Sequence, residues 1–284
     1  MRIGGTPVVF LEKLGVYLKL EEKNPTGSVK DRPVFFMFMK ALMEGKLDGN
    51  RWLVEPTSGN TGMAMAMLGA RYGVKVVVVA PESISRRKID MVKEYGGDVV
   101  LTPADKGMAG AVEVAKGMVE EGRAVMLDQF NNPYNVLAHE LTTGPEILHQ
   151  MDYRIDAFVC GVGTGGTLTG VSRVLRRFFG DRIRIFAVEP AESPVLSGGE
   201  AGKHGIEGIG AGFVPSILDL NLVDEVFKVR TEDALDMREK MARIEGISVG
   251  ISTGANVFAA LEIKRIHGLD RILTMEMDGG IRYV

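Results

Sequence analysis

The residues that could do chemistry begin with Lys30, in the run Asn24-Pro25-Thr26-Gly27-Ser28-Val29-Lys30-Asp31-Arg32. The apolar stretch Val34 to Met43 follows at once and supplies the buried side of a helix over 28–44. Ser28 with Asp31 three residues later reads as a capping box, which puts Lys30 in the first helical turn. There the unpaired backbone N–H groups and the helix dipole disfavour a cation, so the amine should release its proton readily. A neutral amine can bond to an aldehyde and later take a proton from carbon. The plainer alternative is an aliphatic stem lying on the helix with its ammonium in water.

Three turns could hold anions or polar heterocycles. The first is Gly161-Val162-Gly163-Thr164-Gly165-Gly166-Thr167, between an apolar strand and an apolar helix. Its glycines let backbone approach an anion while the helix start aims N–H groups at it. Gly161, Gly163 and Gly166 also fit a dinucleotide fingerprint with Glu189 as ribose ligand, and a simple tight turn is a third possibility. The second is Glu55-Pro56-Thr57-Ser58-Gly59-Asn60-Thr61-Gly62, whose hydroxyls, amide and helix-start N–H groups suit a carboxylate. Ser58 or Asn60 as a mere N-cap would account for one of those polar groups, not four. The third is Gly250-Ile251-Ser252-Thr253-Gly254-Ala255-Asn256, where a serine either caps a helix or meets a heterocyclic nitrogen.

The elements that must position these turns alternate. Strands are expected at 51–54, 74–80, 98–101, 124–127, 155–160, 183–188 and 271–275, with extended pieces near 8–11 and 16–21. Further helices are expected at 61–72, 84–95, 105–121, 134–150, 166–179, 231–245 and 254–267. Runs such as Val74 to Ala80 are almost continuously apolar, the pattern of a parallel sheet covered on both faces. The chain is therefore α/β, read as two open, twisted, mostly parallel sheet domains. Its 284 residues exceed one comfortable core. Residues 1–32 with 134–284 form the expected larger, cofactor-anchoring domain, and 33–133 a smaller, mobile, substrate-binding one, with the break near Asn131-Asn132-Pro133. Segment 189–219, rich in glycine and proline, reads as a long loop with work at the site.

Composition narrows the class further. Apolar residues at 45%, charged residues at 25% and a net charge of −3 describe an ordinary globular chain without a nucleic-acid footprint. Neither a leader-like start nor an 18-residue apolar window is present, so a soluble, cytoplasmic protein is expected. Cys160 ends an apolar run and reads as a buried strand residue. The histidines at 139, 149, 204 and 267 lack ligand spacing, and no metal is expected.

Taken in chain order, Lys30, the Thr57 to Thr61 loop, the Gly163 to Thr167 loop and Ser252 resemble the β family, or fold type II, of pyridoxal-phosphate enzymes. The likeness is strongest to the cysteine synthases, or O-acetylserine sulfhydrylases. It also rests on Asp128-Gln129-Phe130, Thr142 to Ile147 and Glu207 to Pro215, and covers nearly the whole chain. It implies a tryptophan synthase β-like fold with the site in the cleft between its domains. It makes Lys30 the internal-aldimine lysine and the acid/base at Cα. Gly163, Thr164, Gly165, Gly166 and Thr167 would hold the phosphate of pyridoxal 5'-phosphate, Asn60 the ring hydroxyl and Ser252 the ring nitrogen. Thr57, Ser58, Gly59, Thr61 and Gln129 would bind the substrate carboxylate. The implied reaction joins O-acetyl-L-serine and sulfide to give L-cysteine and acetate through an α-aminoacrylate. Cystathionine β-synthase and serine/threonine dehydratase activities are alternatives on this scaffold, and the donor could be O-phosphoserine or serine. The resemblance also implies a homodimer and leaves room for docking of a partner's C-terminal carboxylate. The end of the chain departs from the family: Gly280-Ile281-Arg282-Tyr283-Val284 stands where Gly-Glu-Arg-Tyr and a further helix are usual, which bears on packing at the ring-nitrogen side and on the dimer contact.

Overall fold

The computed structural model describes residues 2–57 and 59–280. Ser58, one of the expected carboxylate ligands, and residues 281–284, which carry the departure at the chain end, lie outside the described residues. The chain divides into two compact units, residues 1–29 with 136–284 and residues 30–135. Lys30 to Arg32 thus go with the smaller unit, where the sequence reading groups them with the larger.

The smaller unit is built on four parallel strands, β3 (Trp52–Pro56), β4 (Val76–Pro81), β5 (Asp98–Thr102) and β6 (Ala124–Met126), in the order β5-β4-β3-β6. Side chains alternate across this sheet as the two-residue repeat of a strand requires. Leu53, Val76 and Val78 enter one apolar core with α1 (Asp31–Met43) and α2 (Asn60–Tyr72), while Val54, Val77 and Val79 meet Ala111 and Ala115 of α4 (Gly107–Glu120). The amphipathic α3 (Arg86–Glu94) starts from Ser85, whose hydroxyl accepts from Lys88 N.

The larger unit carries six strands in the order β1-β2-β10-β7-β8-β9. They are β1 (Val8–Leu11), β2 (Val16–Leu20), β7 (Ala157–Gly161), β8 (Arg184–Pro190), β9 (Glu225–Val229) and β10 (Ile272–Glu276). Only β1 runs antiparallel. Ala157, Val159, Phe186 and Val188 pack toward α8 (Thr231–Glu245) and α9 (Ile251–His267). Phe158, Cys160, Ile185 and Ala187 pack on the other face with α6 (Gly144–Gln150) and α7 (Gly166–Phe179). Cys160 is fully buried on its strand.

The structure corrects the sequence reading in four places. Helix α1 starts at Asp31, and Lys30 is its N-cap, with φ −67° and ψ −21° already helical; no side-chain cap bond forms there. Ser28 lies outside the helix and pairs as a β-bridge with Asp278. The helix expected over 134–150 is three pieces: α5 (Pro133–Ala138), a π-turn over His139–Thr143, and α6. A strand missing from the sequence reading, β9, pairs with β8 along the sheet edge. Finally, α9 starts at Ile251 rather than 254, capped by Gly250. The segment 191–219 contains neither helix nor strand, as the loop reading expects. Among the described residues, no helix is long and apolar enough to cross a membrane.

Candidate functional site

In each sheet the strand order reverses beside a central strand, and ligand sites of open α/β sheets form at the carboxyl ends of strands flanking such a reversal. In the smaller unit these are β3 and β6, followed by the 57–60 loop and the 127–129 turn. In the larger unit they are β7 and β10, followed by the 161–166 turn and residues 277–280. Thr57, Gly59, Gln129 and the Gly163 to Gly166 turn follow these strand ends, while Lys30 heads α1 and Ser252 lies on the first turn of α9.

In the larger unit, the Gly163 to Thr167 turn leads into α7, a 14-residue helix whose N-cap Gly165 has φ 85°. A Cβ on Gly163 would lie 2.4 Å from the Gly208 carbonyl oxygen, and one on Gly165 would lie 2.8 Å from Leu218 Cβ. Any side chain would fill this cradle. Thr164 and Thr167 are both buried. Thr167 Oγ1 lies 3.2 Å from His139 Nε2, and His139 Nδ1 lies 2.9 Å from Thr143 Oγ1. The π-turn therefore brings a fully buried imidazole behind the glycine turn, where it fixes the Thr167 hydroxyl.

Ser252 sits on the first turn of α9 and is 3% exposed. Its Oγ lies 3.5 Å from where a Cβ on Gly208 would stand. Its hydroxyl makes no hydrogen bond among the described residues, and Gly250 is the cap, so capping does not account for this serine. Asn256, one turn on, accepts from Gly161 N at 2.7 Å and donates to Met275 O at 2.9 Å, tying α9 to the ends of β7 and β10. Thr253 Oγ1 accepts from Met277 N at 3.0 Å.

In the smaller unit, Lys30 is half-buried at the head of α1, and Asn60 is the half-buried first residue of α2. Gly59 caps α2 without a side-chain bond; its N–H donates to Thr57 Oγ1 at 3.2 Å. Thr61 donates to Gln129 Oε1 at 2.9 Å, so the loop after β3 and the turn after β6 are joined. The Gln129 Nε2 group makes no hydrogen bond among the described residues, although the residue is only 7% exposed. A buried amide with its acceptor engaged and its donor unengaged suits an incoming carboxylate. Lys19, an inward-facing lysine of the larger unit, donates to Thr6 O, Glu146 Oε2 and Gln150 Oε1.

The sequence reading missed Glu55 as a site residue, although it is a carboxylate near the end of an otherwise apolar strand. Its carboxylate accepts from Leu127 N, Asp128 N and Gln129 N at 3.0, 3.2 and 3.2 Å. Burial pushes this carboxyl up to about 7, against those three donors and with the Asp128 charge adding to the rise. His139 and Asn256 were missed as well; a polar side chain on a buried helix face is the signal they offered.

With this geometry the comparisons agree. The model of the family described as pyridoxal-phosphate dependent enzyme matches residues 1–276, and the chain belongs to that family. It is 46% identical over 290 residues to a cysteine synthase of Staphylococcus aureus, covering 99% of this chain and 93% of that protein. It is similar to the crystal structure of cysteine synthase from Entamoeba histolytica, with TM-score 0.95, 38% identity, and 99% and 87% of the two chains covered. It is also similar to a hydrogen sulfide-producing enzyme of Fusobacterium nucleatum, with TM-score 0.93, 36% identity, and 99% and 97% covered. The chain is thus a pyridoxal-phosphate dependent enzyme of the fold type II kind. The residues present fit the cofactor: a side-chain-free cradle at a helix start suits its phosphate, and an unengaged hydroxyl near the same glycine loop suits a ring nitrogen.

Proposed function

We propose that this chain makes L-cysteine and acetate from O-acetyl-L-serine and sulfide. The observation that carries the reading is 46% identity to a cysteine synthase across 99% of the chain. The side-chain-free cradle at Gly163 and Gly165, the unengaged Ser252 hydroxyl and the Gln129 amide add support.

Backbone and hydroxyls from Gly163, Thr164, Gly165, Gly166 and Thr167 would hold the cofactor phosphate, Asn60 its ring hydroxyl and Ser252 its ring nitrogen. When bound, pyridoxal phosphate supplies an electron sink for the charge left as a Cα proton departs. Lys30 would carry the cofactor at its aldehyde carbon, and its freed amine would take the substrate's Cα proton. Thr57, Ser58, Gly59, Thr61 and Gln129 bind the substrate carboxylate, with Gln129 Nε2 as a donor. The Cβ–O bond breaks and acetate leaves with the electron pair. Hydrosulfide then forms the Cβ–S bond, and Lys30 returns a proton to Cα. A neutral serine hydroxyl at the ring nitrogen, rather than a carboxylate, does not favour ring protonation. That limits charge spread and favours β-loss over transamination.

The smaller unit is the mobile, substrate-binding part in this reading, and closure on the carboxylate excludes water. The family resemblance further supports a cytoplasmic homodimer whose carboxylate ligands could also dock a partner's C-terminus. The test is product analysis with O-acetylserine, O-phosphoserine and serine, each with and without sulfide. Equal yields of cysteine and acetate from O-acetylserine support the reading. Pyruvate as the main product with sulfide present, or cystathionine formed from homocysteine in preference, would replace it by a dehydratase or cystathionine β-synthase.

A further inference from the structure

Glu55 stands one residue before the end of β3 and is 2% exposed. Rather than pairing with a cation, its carboxylate gathers three consecutive backbone N–H groups from the turn after β6: Leu127 and Asp128 on Oε2, Gln129 on Oε1. Three successive N–H groups converge on one anion only where the backbone is sharply bent, and Asp128 has φ 53°, the left-handed region a non-glycine residue seldom adopts. Such a conformation persists where its surroundings over-determine it.

The bend carries Gln129. Its N–H is fixed by Glu55, its carbonyl accepts from Asn135 Nδ2 at 2.8 Å, and its side-chain oxygen accepts from Thr61 at 2.9 Å. Thr61 itself follows Glu55 by way of the 57–60 loop. One carboxylate thus fixes the turn that bears Gln129, at the foot of the loop that bears Thr57.

We propose that Glu55 is a positioning residue for substrate carboxylate recognition, acting through Gln129. This rests on the reading of Gln129 as a carboxylate ligand. The neutral isostere cannot substitute, because the NH2 of a glutamine would face N–H donors of the turn.

The experiment compares Glu55→Gln, Gln129→Ala and the double variant by steady-state kinetics on the holoenzyme with O-acetylserine and sulfide. Glu55→Gln should raise KM for the amino acid about tenfold with kcat within about twofold, the signature of lost uniform binding. Cofactor absorbance and loading should be unchanged. In the Gln129→Ala background, Glu55→Gln should add nothing further, since a residue acting through another is non-additive with it. Wild-type KM in Glu55→Gln overturns the proposal. So does a Glu55→Gln effect that adds in full to Gln129→Ala, because that marks a merely structural role. If Gln129→Ala alone leaves KM unchanged, the Gln129 reading fails and the proposal with it; if only Gln129→Ala raises KM, the Glu55 inference alone fails. Should Glu55→Gln not fold, Glu55→Asp and Asn135→Ala give the same readout: raised KM at near-normal kcat supports the proposal, and wild-type KM in both overturns it.

Discussion

Gly163 faces the Gly208 carbonyl so closely that a methyl group would stand 2.4 Å from its oxygen, and both partners are backbone, so neither can swing aside. Gly163→Ala should therefore move the anion cradle, at a cost of about 1–3 kcal/mol. Titration of apoprotein with pyridoxal phosphate should show an affinity loss of about tenfold or more; unchanged affinity would mean the turn does not hold the phosphate. Gly165→Asp should weaken binding further, adding like charge and an unfavourable left-handed φ to the contact with Leu218. The glycines of this turn, Lys30 and Ser252 carry local signals, namely a glycine run after an apolar strand, a lysine at a helix start and a serine in a polar turn, whereas Gln129 was singled out only through the family resemblance. Glu55 was not. The N–H groups it holds lie 72 to 74 residues away, and only tertiary structure makes that carboxylate more than a polar residue on a buried strand. His139 escaped for the same reason, since nothing local shows that it backs Thr167.

At the scale of elements, the π-turn over His139–Thr143 decides how the helices behind the glycine turn pack. Gly170 of α7 lets it approach this turn: a Cβ there would meet Val136 O at 2.4 Å, His139 Cβ at 2.7 Å and Glu140 N at 2.9 Å. Gly170→Ala should destabilise by about 1–3 kcal/mol, read as a melting temperature lower by a few degrees. Gly117→Ala in α4, where an added Cβ meets nothing within 4 Å, is the control and should be neutral or slightly stabilising. Equal losses from both would remove the π-turn argument. The heptad-scale apolar pattern of 134–150 shows helix but not the inserted residue of a π-turn, because that insertion is set by α7 rather than by local preference. Similarly, β9 is a half-exposed edge strand whose Glu225 and Lys228 interrupt the apolar run, which is how edges resist pairing and also why the run is hard to read. The fully covered strands, such as β4, were plain from sequence because every one of their side chains is buried.

Over the whole molecule, one buried carboxyl sets an expected pH dependence. Glu276, at the end of β10, accepts from Glu22 N on one oxygen, while Oε1 meets no hydrogen-bond partner among the described residues. Burial pushes it up to about 8, opposed by the Glu22 N–H and Lys23, and reinforced by the Glu22 and Asp278 charges. A carboxyl raised in the folded state binds its proton more tightly there than in the unfolded chain. The stabilisation is full below the ordinary carboxyl range and is lost as pH rises through about 8 for Glu276. The melting temperature should accordingly fall between about pH 5 and pH 8, and Glu276→Gln should flatten that slope. A slope identical to wild type would show that Glu276 titrates in its ordinary range. The two-sheet architecture was legible because alternating strand and helix signals extend along the chain, and the cofactor class only through the family resemblance of the loops between them. The assignment of Lys30 to the smaller unit was not, since a helix start can be claimed by either side until packing is known.

The central claim is that the amine of Lys30 bonds to the cofactor. Borohydride reduction of the purified holoprotein, followed by digestion and mass spectrometry, tests it most directly. The account predicts one pyridoxyl group per chain, on the peptide containing Lys30, and none on the Lys30→Ala variant, which should also be inactive. A label on another lysine, or full labelling and turnover in Lys30→Ala, would contradict it.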